Sequence, residues 1–493
     1  MTGKRGVPFF KSKQTMNYKN LLDGFALLAI ALSLLLASCD TRESHGHQHE
    51  HGAHTRTHYT LQDSVLAHKL IFPSKVPDRI IANLTEDPAT TLAVNWRTNQ
   101  QIEHAYIEVA LATDGPEFRR KVIRRVKATS TVFENKHQKH NEPLVKASYH
   151  AAAVTGLEPE TTYVYRVGSD TDAQEGDPLW SEWFQYTTAS DQPDKEFSFI
   201  YFGDAQNDVK SMWSRVIRNS YKKFPSVDFM LHAGDLINSQ DSNLEWGEWF
   251  YAGSFIHATV PSMMTPGNHE YKDTTLTPLW RPQFNLPKNG PSGIRGIEET
   301  TYFVDYQDIR VISIDCIFFE DHEAERVAQV QWLEELLKNN PKKWTALTMH
   351  FPLYTPAAKR EDNAILIEHL RPLIDKYKVD LVLQGHDHTY ARGEISNEKS
   401  GVTSVSDAGT IYAVSVSGPK MYESTDKEWI ERRGEYTQLF QIITINGNTL
   451  SYEAYTPIGT LYDAFDLEKS AGKKKLINRI PSTSVRLKRD FEH

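Results

Sequence analysis

The feature that most limits the folds open to this chain is a set of five short apolar stretches. Each is followed within three residues by a polar residue that can bind a metal. The first is residues 197–202, which precede Gly203-Asp204. The other four are residues 227–232 before Gly234-Asp235, 260–265 before Gly267-Asn268, 344–349 before His350, and 380–384 before Gly385-His386-Asp387-His388. Such runs predict buried strands, and helical stretches separate several of them. The alternation predicts a layered α/β fold with largely parallel strand pairing.

The polar residues after these stretches are expected to meet in one place. In an open α/β sheet the carboxyl ends of the strands form the ligand-binding edge. The six candidate ligands are Asp204, Asp235, Asn268, His350, His386 and His388. Carboxylates, an amide oxygen and imidazoles suit Mn, Fe or Zn. Six such groups are more than the four ligands of one tetrahedral site. Their number predicts two divalent ions that share a ligand and together bind the oxygens of a phosphoryl group.

These stretches, in this order, resemble the calcineurin-like metallophosphoesterases, and within them the purple acid phosphatases. The matching motifs are Gly203-Asp204, Gly234-Asp235, Gly267-Asn268-His269-Glu270, His350 and Gly385-His386-Asp387-His388-Thr389-Tyr390. The resemblance covers about residues 72–467, because the β-rich segment before the first motif is similar to the N-terminal domain of the larger purple acid phosphatases. It implies a hydrolase of phosphoric esters of the acid phosphatase type.

The resemblance also implies how the ligands are divided between two metals. The first metal takes Asp204 and His388, the second takes Asn268, His350 and His386, and both share Asp235. A hydroxide that bridges the metals would attack phosphorus, and His269 would protonate the leaving group or steady the phosphate. The alternative role for His269 is to orient a carboxylate ligand.

The sequence departs from the purple acid phosphatase pattern at the first metal. That pattern has a tyrosine three residues after the bridging aspartate, where this chain has Asn238. The tyrosinate that stabilises ferric iron and gives the purple colour is therefore missing. The replacement ligand is either Gln206, at the position where the wider metallophosphoesterases have a histidine, or Asn238 itself. Both offer a neutral oxygen, which favours divalent over trivalent ions.

A second departure concerns the segment after His350. The purple acid phosphatases carry histidines about ten residues beyond this ligand, where the present chain has Lys359 and Arg360. A guanidinium can bind a phosphate through two hydrogen bonds, so Arg360 is a candidate catalytic residue. The alternative is a solvated loop, and Asp362-Asn363 is expected to cap the helix that follows.

Residues 1–38 have the features of an export signal with a lipid attachment point. An apolar run, residues 25–37, follows a basic start and is too short to span a bilayer. The run ends in Leu36-Ala37-Ser38-Cys39, which resembles the bacterial lipobox, in which the cysteine is lipidated. The mature protein would then be anchored to a membrane outside the cytoplasm without spanning it. The alternatives are an ordinary signal peptide and a short membrane anchor.

Residues 39–71 read as a polar tether. The part from residue 40 to residue 60 holds His45, His47, His49, His51, His54 and His58. Alternating histidines in a flexible chain can chelate divalent ions, and the alternative is a solvated linker that happens to be rich in histidine.

Three further parts complete the predicted domain organisation. Residues 72–190 contain short alternating segments between turns, which predict a β-sandwich with Trp96 in its core, and this module resembles a fibronectin type III domain. Residues 196–469 form the predicted metallophosphoesterase domain, in which Cys316 is expected to be a buried strand thiol. Residues 470–493 are a basic tail that is expected to be frayed.

Composition limits the classes of function. The chain has 493 residues and a formal net charge of −9, and an acidic body argues against broad nucleic-acid binding. It has only two cysteines, so no disulfide framework is expected. The sequence therefore predicts a phosphomonoesterase that acts on a phosphorylated small molecule or polymer. The alternatives are a phosphodiesterase or nucleotide hydrolase, and an inactive metal-binding surface module.

Overall fold

The computed structural model describes residues 65–122, 124–136, 142–170, 179–395 and 407–490. These belong to one compact unit that covers residues 59–493. The predicted export signal, Cys39 and the six histidines between residues 45 and 58 lie outside the described residues. None of the helices in the described part of the chain has both the length and the apolar composition that a membrane span requires.

The N-terminal module is built from two facing sheets. Its strands are β1 (Asp78–Asn83), β2 (Leu92–Asn99), β3 (Tyr106–Leu111), β4 (Arg124–Lys127), β5 (Thr129–Asn135), β6 (Val145–Val154), β7 (Thr162–Ser169), β8 (Leu179–Trp180) and β9 (Phe184–Thr187). Strands β1, β2, β6 and β5 belong to one sheet, and β4, β3, β7, β8 and β9 form the other. Trp96 is buried between them beside Val94 and Tyr165. The β-rich domain predicted here is confirmed, whereas its likeness to fibronectin type III stays a prediction.

The larger module contains the remaining strands and most of the helices. Its strands are β10 (Phe197–Phe202), β11 (Phe229–Ala233), β12 (Ser262–Thr265), β13 (Tyr271–Lys272), β14 (Thr275–Leu276), β15 (Tyr302–Tyr306), β16 (Ile309–Ser313), β17 (Trp344–Met349), β18 (Leu381–Gln384), β19 (Tyr390–Ile395), β20 (Thr410–Val414), β21 (Arg432–Gly434), β22 (Phe440–Asn446), β23 (Thr449–Tyr455), β24 (Leu461–Ser470) and β25 (Lys473–Asn478). The helices in the described residues are α1 (Val65–Ile71), α2 (Ser214–Lys223), α3 (Asn243–Gly253), α4 (Phe255–Thr259), α5 (Trp280–Gln283), α6 (Cys316–Asp321), α7 (Glu323–Lys338) and α8 (Ala364–Lys376).

Two sheets of this module enclose the main core. The first has the order β25-β24-β23-β22-β10-β11-β12-β1-β2-β6-β5, so strand β1 of the N-terminal module continues it through one parallel pairing, Asn83 with Ser262. The second has the order β15-β16-β17-β18-β20-β19-β21. Strands β10 to β12 are parallel to one another, as are β16, β17, β18 and β20. The predicted layered α/β fold with largely parallel pairing is therefore confirmed.

The end of the predicted tether is helical, so that prediction is wrong for residues 65–71. Helix α1 buries Leu70 and Ile71 against the body of the protein. The carbonyl oxygens at its end accept hydrogen bonds from two buried guanidinium groups: Arg79 Nη2 donates to Leu70 O at 3.1 Å and Arg97 Nη1 donates to Ile71 O at 2.9 Å. These tertiary contacts satisfy carbonyls that a helix end leaves unpaired, and they hold a helix too short to be stable alone.

The basic tail is not frayed over its first part. Strand β25 pairs antiparallel with β24, from Ser470 opposite Lys473 to Phe465 opposite Asn478. Lys474 is buried, and its Nζ lies 3.2 Å from Asp380 Oδ1. The strand pairing and the buried ion pair therefore order residues that, from their charge alone, were expected to lie in solvent.

Cys316 is buried as predicted, but it does not lie in a strand. Strand β16 ends at Ser313, and Asp315 caps helix α6, in which Cys316 is the first residue. The cap is made by the Asp315 side chain, which accepts a hydrogen bond from the backbone N of Phe318. An Asp before an apolar run is an N-cap signal that the sequence already carried.

Candidate metal centre

The six predicted ligands lie together, at the carboxyl ends of strands β10, β11, β12, β17 and β18. The chain approaches itself closely there: a Cβ on Gly385 would lie 2.3 Å from Asp204 Oδ1, and one on Gly267 would lie 2.2 Å from Asp235 Oδ1. Glycine is therefore required at both positions. Three ligand residues have left-handed backbones, which are uncommon outside glycine and cluster at functional sites. These residues are Asp235 (φ 52°), His386 (φ 72°) and His388 (φ 42°).

One group of donor atoms forms around His350. Its Nε2 lies 3.1 Å from Asp235 Oδ2, 3.2 Å from Asn268 Oδ1 and 3.2 Å from His386 Nδ1. The other ring nitrogen, Nδ1, lies 2.8 Å from the carbonyl oxygen of Ala233. Because a carbonyl only accepts, Nδ1 carries the hydrogen and the lone pair of Nε2 faces the other donors.

A second group of donor atoms forms around Asp204. Its Oδ2 lies 3.4 Å from His388 Nε2, and ligand atoms of Asp204, Asp235 and His388 all lie within 4.8 Å of one another. The same limit holds for Asp235, His350 and His386. Asp235 therefore belongs to both groups, which is the arrangement predicted for a ligand shared by two ions.

The electrostatics of the centre favour bound cations. Burial raises the pKa of Asp204, the positive charge of His350 lowers it, and the negative charge of Asp235 raises it further. The resulting pKa is about 7. Burial disfavours the charged form of His350 and by itself would lower its pKa. The carboxylates of Asp235 and Asp204 have the larger combined effect and raise the pKa of His350 to about 9. Two buried carboxyl groups this close compete for positive charge.

The donor set fits two divalent ions. Asp204 Oδ2 and Gln206 Oε1 are buried and have no hydrogen-bond partner among the described residues. Around them, ring nitrogens of His350 and His388 lie 3.1 and 3.4 Å from carboxylate oxygens of Asp235 and Asp204. A cation between such groups satisfies them all, and mixed nitrogen and oxygen donors suit Mn, Fe or Zn.

The structure distinguishes the two candidates for the replacement ligand. The Gln206 amide nitrogen lies 2.8 Å from Asp235 Oδ2 and 3.0 Å from His388 Nε2. The Asn238 side chain instead contacts Asn207 Nδ2 at 3.2 Å and Ser239 Oγ at 3.4 Å. Rotating the Gln206 amide exchanges its nitrogen and oxygen, which would turn the oxygen toward the first metal position. Gln206 therefore lies within the donor group and Asn238 lies outside it.

His269 lies at the rim of the centre, on the side of Asp235. Its Nδ1 donates to the Asn238 carbonyl oxygen at 2.7 Å, and its Nε2 lies 4.0 Å from Asp235 Oδ2. The backbone nitrogen of His269 also donates to Asp235 Oδ1 at 2.9 Å. A backbone carbonyl thus fixes the orientation of the ring through Nδ1, with Nε2 on the side of Asp235.

Arg360 makes a different contact from the predicted one. Its Nη1 donates to Asp387 Oδ1 at 2.8 Å and to the His386 carbonyl oxygen at 3.3 Å, and its guanidinium lies 5.2 Å from the centre of the Tyr422 ring. Asp387 lies between two ligand residues, so this ion pair holds the loop that presents them. The phosphate contact of Arg360 stays a prediction.

Sequence reasoning missed the part played by Glu270. The carboxyl group of this buried residue accepts hydrogen bonds from the backbone nitrogens of Gly267 at 2.7 Å, Asp235 at 2.9 Å and Leu236 at 2.8 Å. It therefore ties the turn after β11 to the turn after β12. The motif Gly267-Asn268-His269-Glu270 contained the signal, but only the fold shows which backbone groups Glu270 binds.

Comparison with known families agrees with this geometry. Residues 77–188 match the model of the purple acid phosphatase N-terminal domain, and residues 197–390 match that of the calcineurin-like phosphoesterases. The chain therefore carries segments that match both domain models, in this order.

Individual relatives are distant. The chain is 26 % identical over 276 residues to acid phosphatase type 7 of Danio rerio, covering 49 % of this chain and 57 % of that protein. It is 26 % identical over 296 residues to the probable inactive purple acid phosphatase 9 of Arabidopsis thaliana, covering 51 % and 44 %. The chain thus spans about half the length of these relatives.

A solved structure shares the fold. A purple acid phosphatase from yellow lupin seeds superposes with a TM-score of 0.64 at 19 % identity, over 80 % of this chain and 75 % of that one. At this identity the similarity shows the architecture of the two domains and nothing finer.

Proposed function

We propose that this protein is a dinuclear-metal phosphoester hydrolase that acts on phosphomonoesters outside the cytoplasm. The observation that carries the proposal is the shared position of Asp235 in two groups of metal-binding side chains. The matches to the phosphoesterase and purple acid phosphatase domain models support it. When bound, two divalent ions supply Lewis-acid stabilisation of the phosphoryl group and lower the pKa of water to near neutral.

The side chains of this chain would divide the work as follows. Asp204, His388 and Gln206 would hold the first ion, and Asn268, His350 and His386 would hold the second, with Asp235 shared. The bond from His350 to Ala233 fixes the ring so that Nε2 faces the centre. Burial of Asp204, Asp235, His350 and His388 strengthens the electrostatic contacts among them.

His269 would be the general acid. Its ring is held by the Asn238 carbonyl oxygen through Nδ1, and its Nε2 lies on the side of Asp235, from which it would donate a proton to a leaving-group oxygen. The 4.0 Å between this Nε2 and Asp235 Oδ2 places the ring beside the shared ligand without making it a close hydrogen-bonding partner. That geometry favours the catalytic role over the role of a carboxylate orienter.

The test is hydrolysis by metal-stripped protein to which Mn, Zn or Fe is returned. A chromogenic phosphomonoester and the corresponding diester are compared, and Asp235→Asn and the exposed variant Asp426→Asn serve as the matched pair. We expect turnover of the monoester by the wild type and by Asp426→Asn, and loss of both turnover and metal from Asp235→Asn. Preferential turnover of the diester would instead indicate a phosphodiesterase or nucleotide hydrolase.

An inactive metal-binding surface module is the candidate from another class. Some relatives are named probable inactive purple acid phosphatases, which supports considering an inactive module here. Two bound ions per chain with no hydrolysis of either ester would favour it over the enzyme.

We further propose that Cys39 is lipidated and anchors the protein to a membrane. The support is the sequence Leu36-Ala37-Ser38-Cys39 after an apolar run. Cys39→Ala should leave an unprocessed precursor or release the protein from the membrane fraction, as read by labelling with a fatty acid. Wild-type labelling of that variant would exclude Cys39 as the anchor.

A further inference from the structure

A loop that no sequence motif indicated borders the candidate metal centre. Residues 417–422, here called the Lys420 loop, follow strand β20. The backbone nitrogens of Ser417 and Gly418 donate to the Asp204 carbonyl oxygen at 3.0 and 2.5 Å, and the nitrogen of Tyr422 donates to the His388 carbonyl oxygen at 2.9 Å. Both ends of the loop are therefore bound to the backbone of residues in the first donor group.

Side-chain contacts fix the loop in this position. Trp213 Nε1 donates to Ser417 Oγ at 2.9 Å, and the ring of Tyr422 lies 4.8 Å from that of His388. A Cβ on Gly418 would lie only 2.6 Å from the Gln206 carbonyl oxygen. The loop thus packs tightly against the centre, and Lys420 is presented from a defined backbone.

The charge of Lys420 acts on the centre but is not neutralised by it. Within the described part of the chain, Lys420 forms neither an ion pair nor a hydrogen bond. Burial lowers its pKa, and the carboxylates of Asp235 and Asp204 raise it in part. Lys420 is thus a partly buried ammonium group with no anionic partner among the described residues, and its Nζ lies 5.7 Å from the centre of the Tyr422 ring, which packs on His388.

The other nearby cation is already committed. Arg360 pairs with Asp387 at 2.8 Å, so its charge is balanced within the protein. An ammonium without such a partner, at a partly buried position, is stabilised most by an anion that enters from solvent. The anion that the proposed function brings to this place is a phosphate group.

We propose that Lys420 is a substrate-binding residue that donates to a non-bridging oxygen of the substrate phosphate, an inference that rests on the proposed function. A lysine offers a compact charge with three donors on a flexible stem, which suits a phosphate approached from one side. A phosphomonoester carries two negative charges near neutral pH and a diester one. Lys420 therefore favours monoesters, and it acts on substrate binding more than on the chemical step.

The test compares Lys420→Met and Lys420→Arg with Lys427→Met. Lys427 belongs to the same segment, but its Nζ is bound to Asp362 Oδ1 at 2.6 Å and serves as the matched control. For Lys420→Met we expect KM for the monoester and the inhibition constant of inorganic phosphate to rise about tenfold or more. We expect kcat to change less, diester KM to change less, Lys420→Arg to recover part of the loss, and Lys427→Met to resemble the wild type.

Two further measurements separate this inference from the proposed function. Metal content should be two ions per chain in the wild type and in Lys420→Met, and a lower content in the variant would overturn the inference by showing an effect on the metals. Inorganic phosphate should raise the melting temperature of the metal-loaded wild type more than that of Lys420→Met, even if no ester is hydrolysed. Equal shifts, or wild-type KM and inhibition constants in Lys420→Met, would also overturn it.

Discussion

The Gln206 amide nitrogen lies 2.8 Å from Asp235 Oδ2, inside the group of side chains that meets around Asp204. The same amide reaches His388 Nε2 at 3.0 Å, and its oxygen is buried without a hydrogen-bond partner among the described residues. The position three residues after Asp235, which is a tyrosine in the purple acid phosphatase pattern, holds Asn238, whose carbonyl oxygen binds His269. The backbone of Asn238 thus contacts His269, whereas the side chain of Gln206 lies beside Asp235 and His388, and we expect Gln206 to be the ligand.

Gln206→Leu should weaken binding at the first metal position while keeping the side chain's approximate volume. Loss of a ligand should reduce affinity there at least about tenfold, because even the residues that only orient ligands have effects of this size. Titration of metal-stripped protein with Mn or Zn, followed calorimetrically, should show two strong sites in the wild type and one in Gln206→Leu. Asn238→Ala is the control and should retain two. The opposite pattern would make Asn238 the ligand.

Protein reconstituted with iron should lack the strong visible band of tyrosinate bound to ferric iron. Neither Gln206 nor Asn238 brings a negative charge, and a site with fewer anionic ligands favours divalent ions. The tyrosine whose ring packs on His388 is Tyr422, and burial raises its pKa to about 12, which disfavours the tyrosinate form. An absorption spectrum of the iron-loaded wild type checks this. A strong band that disappears in Tyr422→Phe would show that Tyr422 is a ligand and that the assignment of Gln206 is wrong.

Glu270→Ala should destabilise the fold and loosen the metal centre together. The substitution leaves three buried backbone N–H groups, those of Gly267, Asp235 and Leu236, without their acceptor. We expect the free energy of unfolding to fall by about 3 kcal/mol, since unsatisfied buried donors cost on the order of 1–3 kcal/mol each and some will find water. Denaturant unfolding measures the loss, and metal analysis should show reduced occupancy. The exposed variant Glu428→Ala should change neither quantity, and wild-type stability of Glu270→Ala would contradict the role of Glu270.

The sequence predicted that the candidate ligands would lie together because each follows a buried strand, and the carboxyl ends of such strands meet in a layered α/β fold. The structure brings these side chains together, and their role as ligands stays a prediction. The sequence did not predict the features that depend on contacts between residues distant in the chain. Helix α1 depends on Arg79 and Arg97, which lie in strands β1 and β2 and bind its last carbonyl groups. The contact between the Lys420 loop and Asp204 is likewise invisible in sequence, because more than two hundred residues separate them and no motif marks the loop.

Acid should destabilise the protein partly through His257, a buried histidine that stacks on Trp249 with ring centres 4.1 Å apart. Burial lowers the pKa of His257 to about 3 in the folded state, and burial likewise lowers the pKa of its neighbour His232. A group whose pKa is lower in the folded than in the unfolded state costs stability as the pH falls below its unfolded value, about 6.5 for histidine. For His257 the loss should reach about 2 kcal/mol at pH 5 and continue to grow until the pH nears the folded pKa.

Denaturant unfolding at pH 8 and at pH 5 tests this. The difference in the free energy of unfolding between the two pH values should be smaller in His257→Phe than in the wild type, whatever the packing effect of the phenyl ring at pH 8. His104→Asn, which changes an exposed histidine, should retain the wild-type difference. An unchanged pH dependence in His257→Phe would mean that His257 is not the source of the acid sensitivity.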